Sequence, residues 1–251
     1  MTGTPALSVS GLTVAFGGIV AVNDVTFDLP VGARHALIGP NGAGKTTFVN
    51  LLTGTLKPTA GTIRIGDEDV TRLDTRSRVK RGLTRTFQIN TLFAGLTPLE
   101  AVSLAIAERD DLAGIWWRRL GGFSAVRDEA EALLSSLRLI EHAQVPTGEL
   151  AYGKQRLLEI ALALAAKPRI LLLDEPAAGI PAGESREVFE VVDALPDDIS
   201  VLFIEHDMQL VFRFARRIVV LTSGSVLAEG SPDEIRRNDD VRAAYLGSTH
   251  V

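Results

Sequence analysis

Apolar residues in the first thirty positions recur close to every second place, as Leu7, Val9, Leu12, Val14 and Phe16 and then Val25, Phe27 and Leu29. This is the spacing of half-buried strands and predicts an antiparallel sheet at the start of the chain. Ala36-Leu37-Ile38 is a short apolar strand that runs into a glycine-rich turn, and residues 45–52 read as a helix stopped near Gly54. Across residues 96–139 the period lengthens, with Ala101, Leu104 and Ala105 and then Ala130, Leu133, Leu134 and Leu137 spaced for one helix face. Strand character returns at residues 170–173 and 201–204, joined by a helical stretch at 184–195, and such repeated strand–helix units predict a parallel sheet. Near the end, residues 218–221 and 226–228 flank Ser223-Gly224-Ser225 as a hairpin, and Ser231-Pro232-Asp233-Glu234 is a capping box with proline at the first helical position. The pattern is α/β, with an antiparallel β subdomain and an inserted helical subdomain.

Composition narrows the class. The chain has 251 residues, 46% hydrophobic and 23% charged, the make-up of a globular protein rather than a disordered one. A net charge of -5 supplies no basic field to gather nucleic acid, so no nucleic-acid partner is expected. Cysteine is absent, which excludes disulfides and thiolate chemistry. No lysine or arginine precedes Arg34 and no apolar run of signal-peptide length opens the chain, so secretion is not expected. The most apolar stretches, 160–166 and 170–173, are divided by Lys167-Pro168-Arg169, too short for the roughly twenty residues that a membrane helix needs. The chain is not expected to span a membrane by itself.

The candidate chemistry begins at Gly39-Pro40-Asn41-Gly42-Ala43-Gly44-Lys45-Thr46-Thr47, which matches the phosphate-binding loop pattern and lies between a predicted strand and a predicted helix. Polyphosphate needs many donors at close range. Glycines let backbone N–H groups turn inward, and the helix N-terminus adds its positive end. Lys45 would reach the β- and γ-phosphates, and the Thr46 hydroxyl is placed to ligate Mg²⁺, which takes oxygen ligands. A second cluster, Ile170-Leu171-Leu172-Leu173-Asp174-Glu175-Pro176, sets two acids at the end of an apolar strand. Asp174 suits a water-mediated Mg²⁺ role, and Glu175 suits positioning or deprotonating an attacking water. The alternative is that both acids merely leave a core strand for solvent.

Between these clusters, Leu150-Ala151-Tyr152-Gly153-Lys154-Gln155-Arg156 and the helical stretch that follows resemble the signature loop of the ATP-binding-cassette (ABC) family. Further positions stand in the family's order: Gln88 in Thr86-Phe87-Gln88 is similar to the Q-loop, His206 in Ile204-Glu205-His206-Asp207 to the switch histidine, and Phe16 to the aromatic that stacks on adenine. The resemblance covers essentially the whole chain. It implies one ABC ATPase domain over 1–251, with a catalytic core at about 1–95 and 165–251 and a helical signature subdomain at about 96–164. It also implies ATP and Mg²⁺ as cofactors, Gln88 as a further Mg²⁺ and catalytic residue, and a nucleotide site completed by Ala151, Tyr152, Gly153 and Lys154 of an opposing subunit. Leu150-Ala151-Tyr152-Gly153, Ala177-Ala178-Gly179, Glu205-His206-Asp207-Met208 and the closing Tyr245-Leu246-Gly247 are similar to the ATPases of branched-chain amino-acid and amide importers. The partners so implied are integral membrane permeases, a second ATPase subunit and, indirectly, an extracytoplasmic binding protein. The implied place is the cytoplasmic face of the membrane.

Three departures qualify the resemblance. Ala151 replaces the usual signature serine and brings no hydroxyl; Lys154 stands where glutamine is usual; Pro181 stands where aspartate or asparagine is usual and offers neither a side-chain hydrogen bond nor an N–H. Lys154 either strengthens phosphate binding or is solvated. Trp116-Trp117-Arg118-Arg119 fits a permease contact or core packing, and the arginine-rich run 72–85 is expected as a solvated face rather than a binding patch. Lipopolysaccharide-export ATPases, soluble ABC proteins of translation or DNA maintenance, and plain nucleotide kinases are the rival readings. The single Walker A motif and the lack of sustained heptads argue against the soluble ABC types, and the signature loop argues against a kinase.

Overall fold

A computed structural model describes residues 4–86, 92–112 and 124–246, and they fall into two compact units. The first comprises 1–85, 169–175 and 196–251 and carries both sheets. The long alternating segments form β1 (Leu7–Phe16) and β2 (Ile19–Leu29), which pair antiparallel; β1 pairs antiparallel with β4 (Ala60–Ile65) on its other edge, and β5 (Glu68–Asp69) completes the four-stranded order β2-β1-β4-β5. The second sheet has the order β10-β9-β3-β8-β7-β6, built from β3 (Arg34–Ile38), β6 (Leu83–Arg85), β7 (Ile170–Asp174), β8 (Ser200–Ile204), β9 (Arg217–Thr222) and β10 (Ser225–Gly230). Its pairings are parallel except for the β9–β10 hairpin. β3 and β8 are buried along their whole length, the near-continuous apolar character of a parallel sheet covered on both faces. Leu37 and Asp174 each pair with Ile204, so β3, β8 and β7 end at one level, and their carboxyl ends deliver Gly39, Glu205 and Glu175 to the same edge of the sheet.

The expected helix after β3 is α1 (Lys45–Thr53), ended at Gly54. α2 (Thr75–Val79) crosses the arginine-rich run, which does not behave as the solvated face expected of it. Arg72 and Arg76 are exposed, but Arg78 is buried and donates to the carbonyls of Leu51 and Leu52 at 2.6 and 2.7 Å, last-turn acceptors of α1, of which Leu51 also accepts from the capping Gly54 N–H. The expected capping box at Ser231 opens α8 (Pro232–Arg237), and α9 (Asp239–Leu246) follows.

The second unit comprises 86–168 and 176–195 and is helical in its described residues: α3 (Pro98–Arg109), α4 (Ser124–Ser136), α5 (Tyr152–Ala165) and α6 (Ala182–Asp193). In α3 the buried residues are Leu99, Val102, Ile106 and Ala107, whereas Ala101 and Ala105 are only partly buried and Leu104 is exposed, so the core face is not the one read from the spacing. Ala130, Leu134 and Leu137 are buried as expected, together with Leu157, Ile160 and Phe189. α3 opens on a second capping box, Thr97 with Glu100, and α7 (Met208–Phe214) belongs to the first unit. Gln88, Trp116, Trp117, Arg118, Arg119 and Gly247 lie outside the described residues.

Candidate active site

The loop 39–47 joins β3 to α1 and is shaped by close backbone approach. A Cβ on Gly39 would lie 2.2 Å from the Leu221 carbonyl oxygen, and one on Gly44, at φ 97°, would lie 2.5 Å from that of Ala21. Only glycine fits either place. The loop is braced from behind by the β9–β10 turn: the Gly224 N–H donates to the Ala43 carbonyl at 3.0 Å, and the Gly224 carbonyl accepts from the Asn23 N–H at 2.8 Å. Gly44 is the N-cap of α1 and has no side chain to cap it, so the helix directs its first N–H groups into the loop. Pro40, Asn41 and Gly42 form the rim, Ala43 is buried beneath it, and Thr46 is exposed beside Thr47.

Lys45 is buried, and its Nζ donates to the carbonyls of Gly39 at 2.7 Å and Pro40 at 3.1 Å. Burial pushes its ammonium below the usual lysine range, with the Glu175 and Asp174 carboxylates acting the other way. Those acids arrive on β7. Asp174 ends the strand, and Glu175 takes a left-handed backbone with φ 49°, a conformation that costs a non-glycine residue energy and marks a side chain held in a required direction. Its N–H donates to the Ile204 carbonyl at 3.0 Å, and its Oε1 shares a hydrogen bond of 2.9 Å with Nε2 of His206, which follows β8. The structure therefore brings together Lys45, Asp174, Glu175 and His206, four of the residues singled out in the sequence.

Phe16 ends β1, half exposed, beside Ile19 and Val20, an apolar patch at the mouth of the β1–β2 hairpin. Tyr245 in α9 makes a hydrogen bond with the Gly39 backbone; burial raises its phenol to about 12, and that bond acts against the rise. Tyr245 thus reaches the phosphate loop, a contact that spacing alone did not reveal.

The signature residues open α5 in the helical unit. Ala151 is the N-cap and makes no side-chain cap. The N–H of Gly153 instead donates to Glu184 Oε2 at 2.8 Å, and Lys154 Nζ pairs with Glu187 Oε1 at 2.8 Å. Glu184 and Glu187 both lie on α6, three positions apart and so on one face. Neither reading offered for Lys154 describes this intrachain ion pair. Pro181 is the N-cap of α6 and makes no side-chain cap, in keeping with a side chain that has no donor or acceptor. Glu184, Glu187 and Arg85 are the residues that sequence reasoning missed. An acid in the first turn of α6 is a detectable signal for a helix start, but not for which neighbouring helix the acid serves.

A family profile described as "ABC transporter" matches residues 22–178, and a second, described as "Branched-chain amino acid ATP-binding cassette transporter", matches residues 225–251. The chain is 44% identical over 252 residues to the "High-affinity branched-chain amino acid transport ATP-binding protein LivG" of Escherichia coli (strain K12), covering 97% of this chain and 98% of that one. Among solved structures, the ADP conformation of MJ1267, an ATP-binding cassette of an ABC transporter, superimposes with a TM-score of 0.85 at 27% identity, covering 97% and 99% of the two chains. The cassette MJ0796, solved as a dimer bound to ADP and Pi in a post-hydrolysis state, superimposes with a TM-score of 0.72 at 27% identity, covering 90% and 98%.

Proposed function

Because this chain belongs to the ABC transporter family and is an ATP hydrolase of the cassette type, we propose that it is the motor subunit of an importer for branched-chain amino acids or related small amides. The observation that carries the cargo class is the match of residues 225–251 to the branched-chain profile, joined to end-to-end similarity with LivG. The motor works as one of two cassettes on a pair of integral membrane permeases at the cytoplasmic face of the membrane, and an extracytoplasmic binding protein supplies the cargo. No helix among the described residues is long and apolar enough to cross a membrane. The dimeric relative MJ0796 supports the pairing.

In this reading Phe16 stacks on adenine, and residues 39–47 cradle the phosphates through backbone N–H groups. Lys45 is already desolvated, so an anionic partner at its Nζ is weakly screened. Glu175 draws a proton from the attacking water, and His206, bonded to Oε1, fixes the rotamer that keeps the carboxylate aimed at it. Gln88 reports the nucleotide state to the permease. Ala151, Tyr152, Gly153 and Lys154 complete the partner's site, with Gly153 and the start of α5 facing its γ-phosphate.

Magnesium fits the donors present. Thr46 offers a hydroxyl and Asp174 a carboxylate, both hard oxygen ligands. Among the described residues no group of three or more His, Cys, Asp or Glu could hold a metal by itself, as suits a cation bound largely through substrate phosphates and water. Thr46 directly and Asp174 through water would hold it, and it would supply charge that neutralises the transferring phosphoryl group. The reading is tested by recovering the protein from mildly solubilised membranes. Co-purification with importer permeases, and a cognate binding protein that takes leucine, isoleucine, valine or small amides, are expected. Recovery with an export permease, with ribosomes or with DNA contradicts it.

A further inference from the structure

The arginine-rich run ends in a contact that the roles above leave unused. Arg85 is the last residue of β6, three positions before Gln88, and pairs with Leu172 in the parallel ladder with β7. Its guanidinium forks: Nη1 donates to Asn50 Oδ1 at 2.8 Å, and Nη2 donates to Asp174 Oδ2 in a short charge-assisted contact. Both members of the Arg85–Asp174 pair are largely buried, so solvent screens them less than an exposed pair. Asn50 follows Thr46 by four residues within α1, which puts the two on one face of that helix. A single rigid planar group therefore ties the helix that carries Thr46 to the strand end that carries Asp174. Lysine, a point charge on a flexible stem, cannot make the same bridge.

We infer that Arg85 is a positioning residue for the divalent cation, holding Asp174 Oδ2 and Asn50 Oδ1 together so that the carboxylate rotamer and its separation from Thr46 stay fixed. The inference rests on the assignment of Thr46 and Asp174 as the residues that hold the cation, Thr46 directly and Asp174 through water. Two effects of removing Arg85 oppose each other. Loss of a neighbouring positive charge favours cation binding at Asp174, whereas loss of orientation weakens it. Partners that orient metal ligands are typically worth about 10–100-fold in affinity, so orientation wins and the cation binds more weakly without Arg85.

The experiment is a Mn²⁺ titration of the purified full chain with ADP, read by electron paramagnetic resonance, with metal-free ADP affinity measured separately. Arg85→Ala is expected to weaken Mn²⁺ binding about tenfold while metal-free ADP affinity stays within about twofold, and Arg85→Lys is expected to restore little of the loss. Asn50→Ala keeps the charge and cuts one tine of the fork; it should shift Mn²⁺ affinity in the same direction by a smaller factor. Unchanged or tighter Mn²⁺ binding in Arg85→Ala, or full recovery in Arg85→Lys, overturns the inference. Should Arg85→Ala not fold, Asn50→Ala and Arg85→Lys decide alone, and wild-type Mn²⁺ affinity in both overturns it. Asp174→Asn separates the two levels. If it binds Mn²⁺ as the wild type does, the ligand assignment fails; if it loses Mn²⁺ while Arg85→Ala does not, only the role of Arg85 fails.

Discussion

The phosphate loop and the signature loop both begin a helix with glycine nearby, yet they are held in different ways. The first is shaped by backbone: carbonyl oxygens of Leu221 and Ala21 stand where a side chain would go, and the Gly224 N–H braces Ala43. The second is shaped by carboxylates, Glu184 on the Gly153 N–H and Glu187 on Lys154. Backbone cannot yield to a new side chain without moving a strand, whereas a glutamate can swing away. The phosphate loop is therefore a rigid receptor. The signature loop is clasped by side chains, Glu184 and Glu187, whose carboxylates can move.

The sharpest way to test this contrast is chemical. Glu175→Gln should lower ATP turnover by about a thousandfold with nucleotide binding kept, the loss expected when a base on the attacking water is removed. Lys154→Ala, which breaks a partly buried ion pair at the rim of the signature loop, should change turnover by less than about tenfold. Steady-state hydrolysis and equilibrium nucleotide binding measured on both variants check this, and near-normal turnover in Glu175→Gln would remove its proposed role.

The next effect is on stability. Gly39→Ala drives a methyl into the Leu221 carbonyl and should cost about 3 kcal/mol or prevent folding. Gly153→Ala meets Glu184 Oε2 at 2.5 Å, which can swing away, and Glu184 Cβ at 3.0 Å, which must give slightly. A better helix former offsets part of this and of the lost hydrogen bond, so the net loss should be about 1 kcal/mol, well below that of Gly39→Ala. Urea denaturation of the two variants compares them directly, and equal losses would dissolve the distinction between rigid and clasped loops.

The smallest effect is in acid, where the two units carry opposite signs. His35 on β3 is buried against Phe27, and burial lowers its pKa from 6.5 to about 4, with Glu229 opposing and Arg217 assisting. The unfolded chain then binds the extra proton first, so this stability is present above pH 6.5 and is lost as pH falls towards 4. Between about pH 7.5 and 5 the loss is about 2 kcal/mol. Glu159, buried in the helical unit, has its pKa raised by burial, with Arg156 opposing. The folded state holds that proton more tightly, so its contribution is full below the ordinary carboxylate range and is lost as pH rises through the folded value. Hydrogen exchange followed segment by segment should show β3 losing protection on acidification. His35→Leu should flatten that response, and an unchanged slope in this variant would assign it to other groups.

Much of this was legible in the sequence where the information is local. The alternation in β1 and β2, the apolar β3 before a glycine turn, the acids after β7 and the capping box at Ser231 each occupy a few neighbouring residues and carry their own physical reason. The missed parts join distant positions. Arg85 meets residues 35 and 89 places away, Arg78 meets carbonyls 26 and 27 places away, and Glu184 serves a helix start 31 places earlier. An arginine on a short strand such as β6 carries no periodic signature, so composition assigned the whole run to solvent. The capping box at Thr97 was equally local but went unread beside the stronger apolar pattern that follows it.

The turn at Gly224 sets an order on how this protein can be made. The loop that grips phosphate is synthesised within the first fifth of the chain, but its brace and the strand β9 beside β3 come from residues 217–224. That brace can close on the loop only after residues 217–224 have been made. The order of the loop thus depends on a contact of very long sequence separation, whose loop-closure entropy must be overcome before the contact contributes.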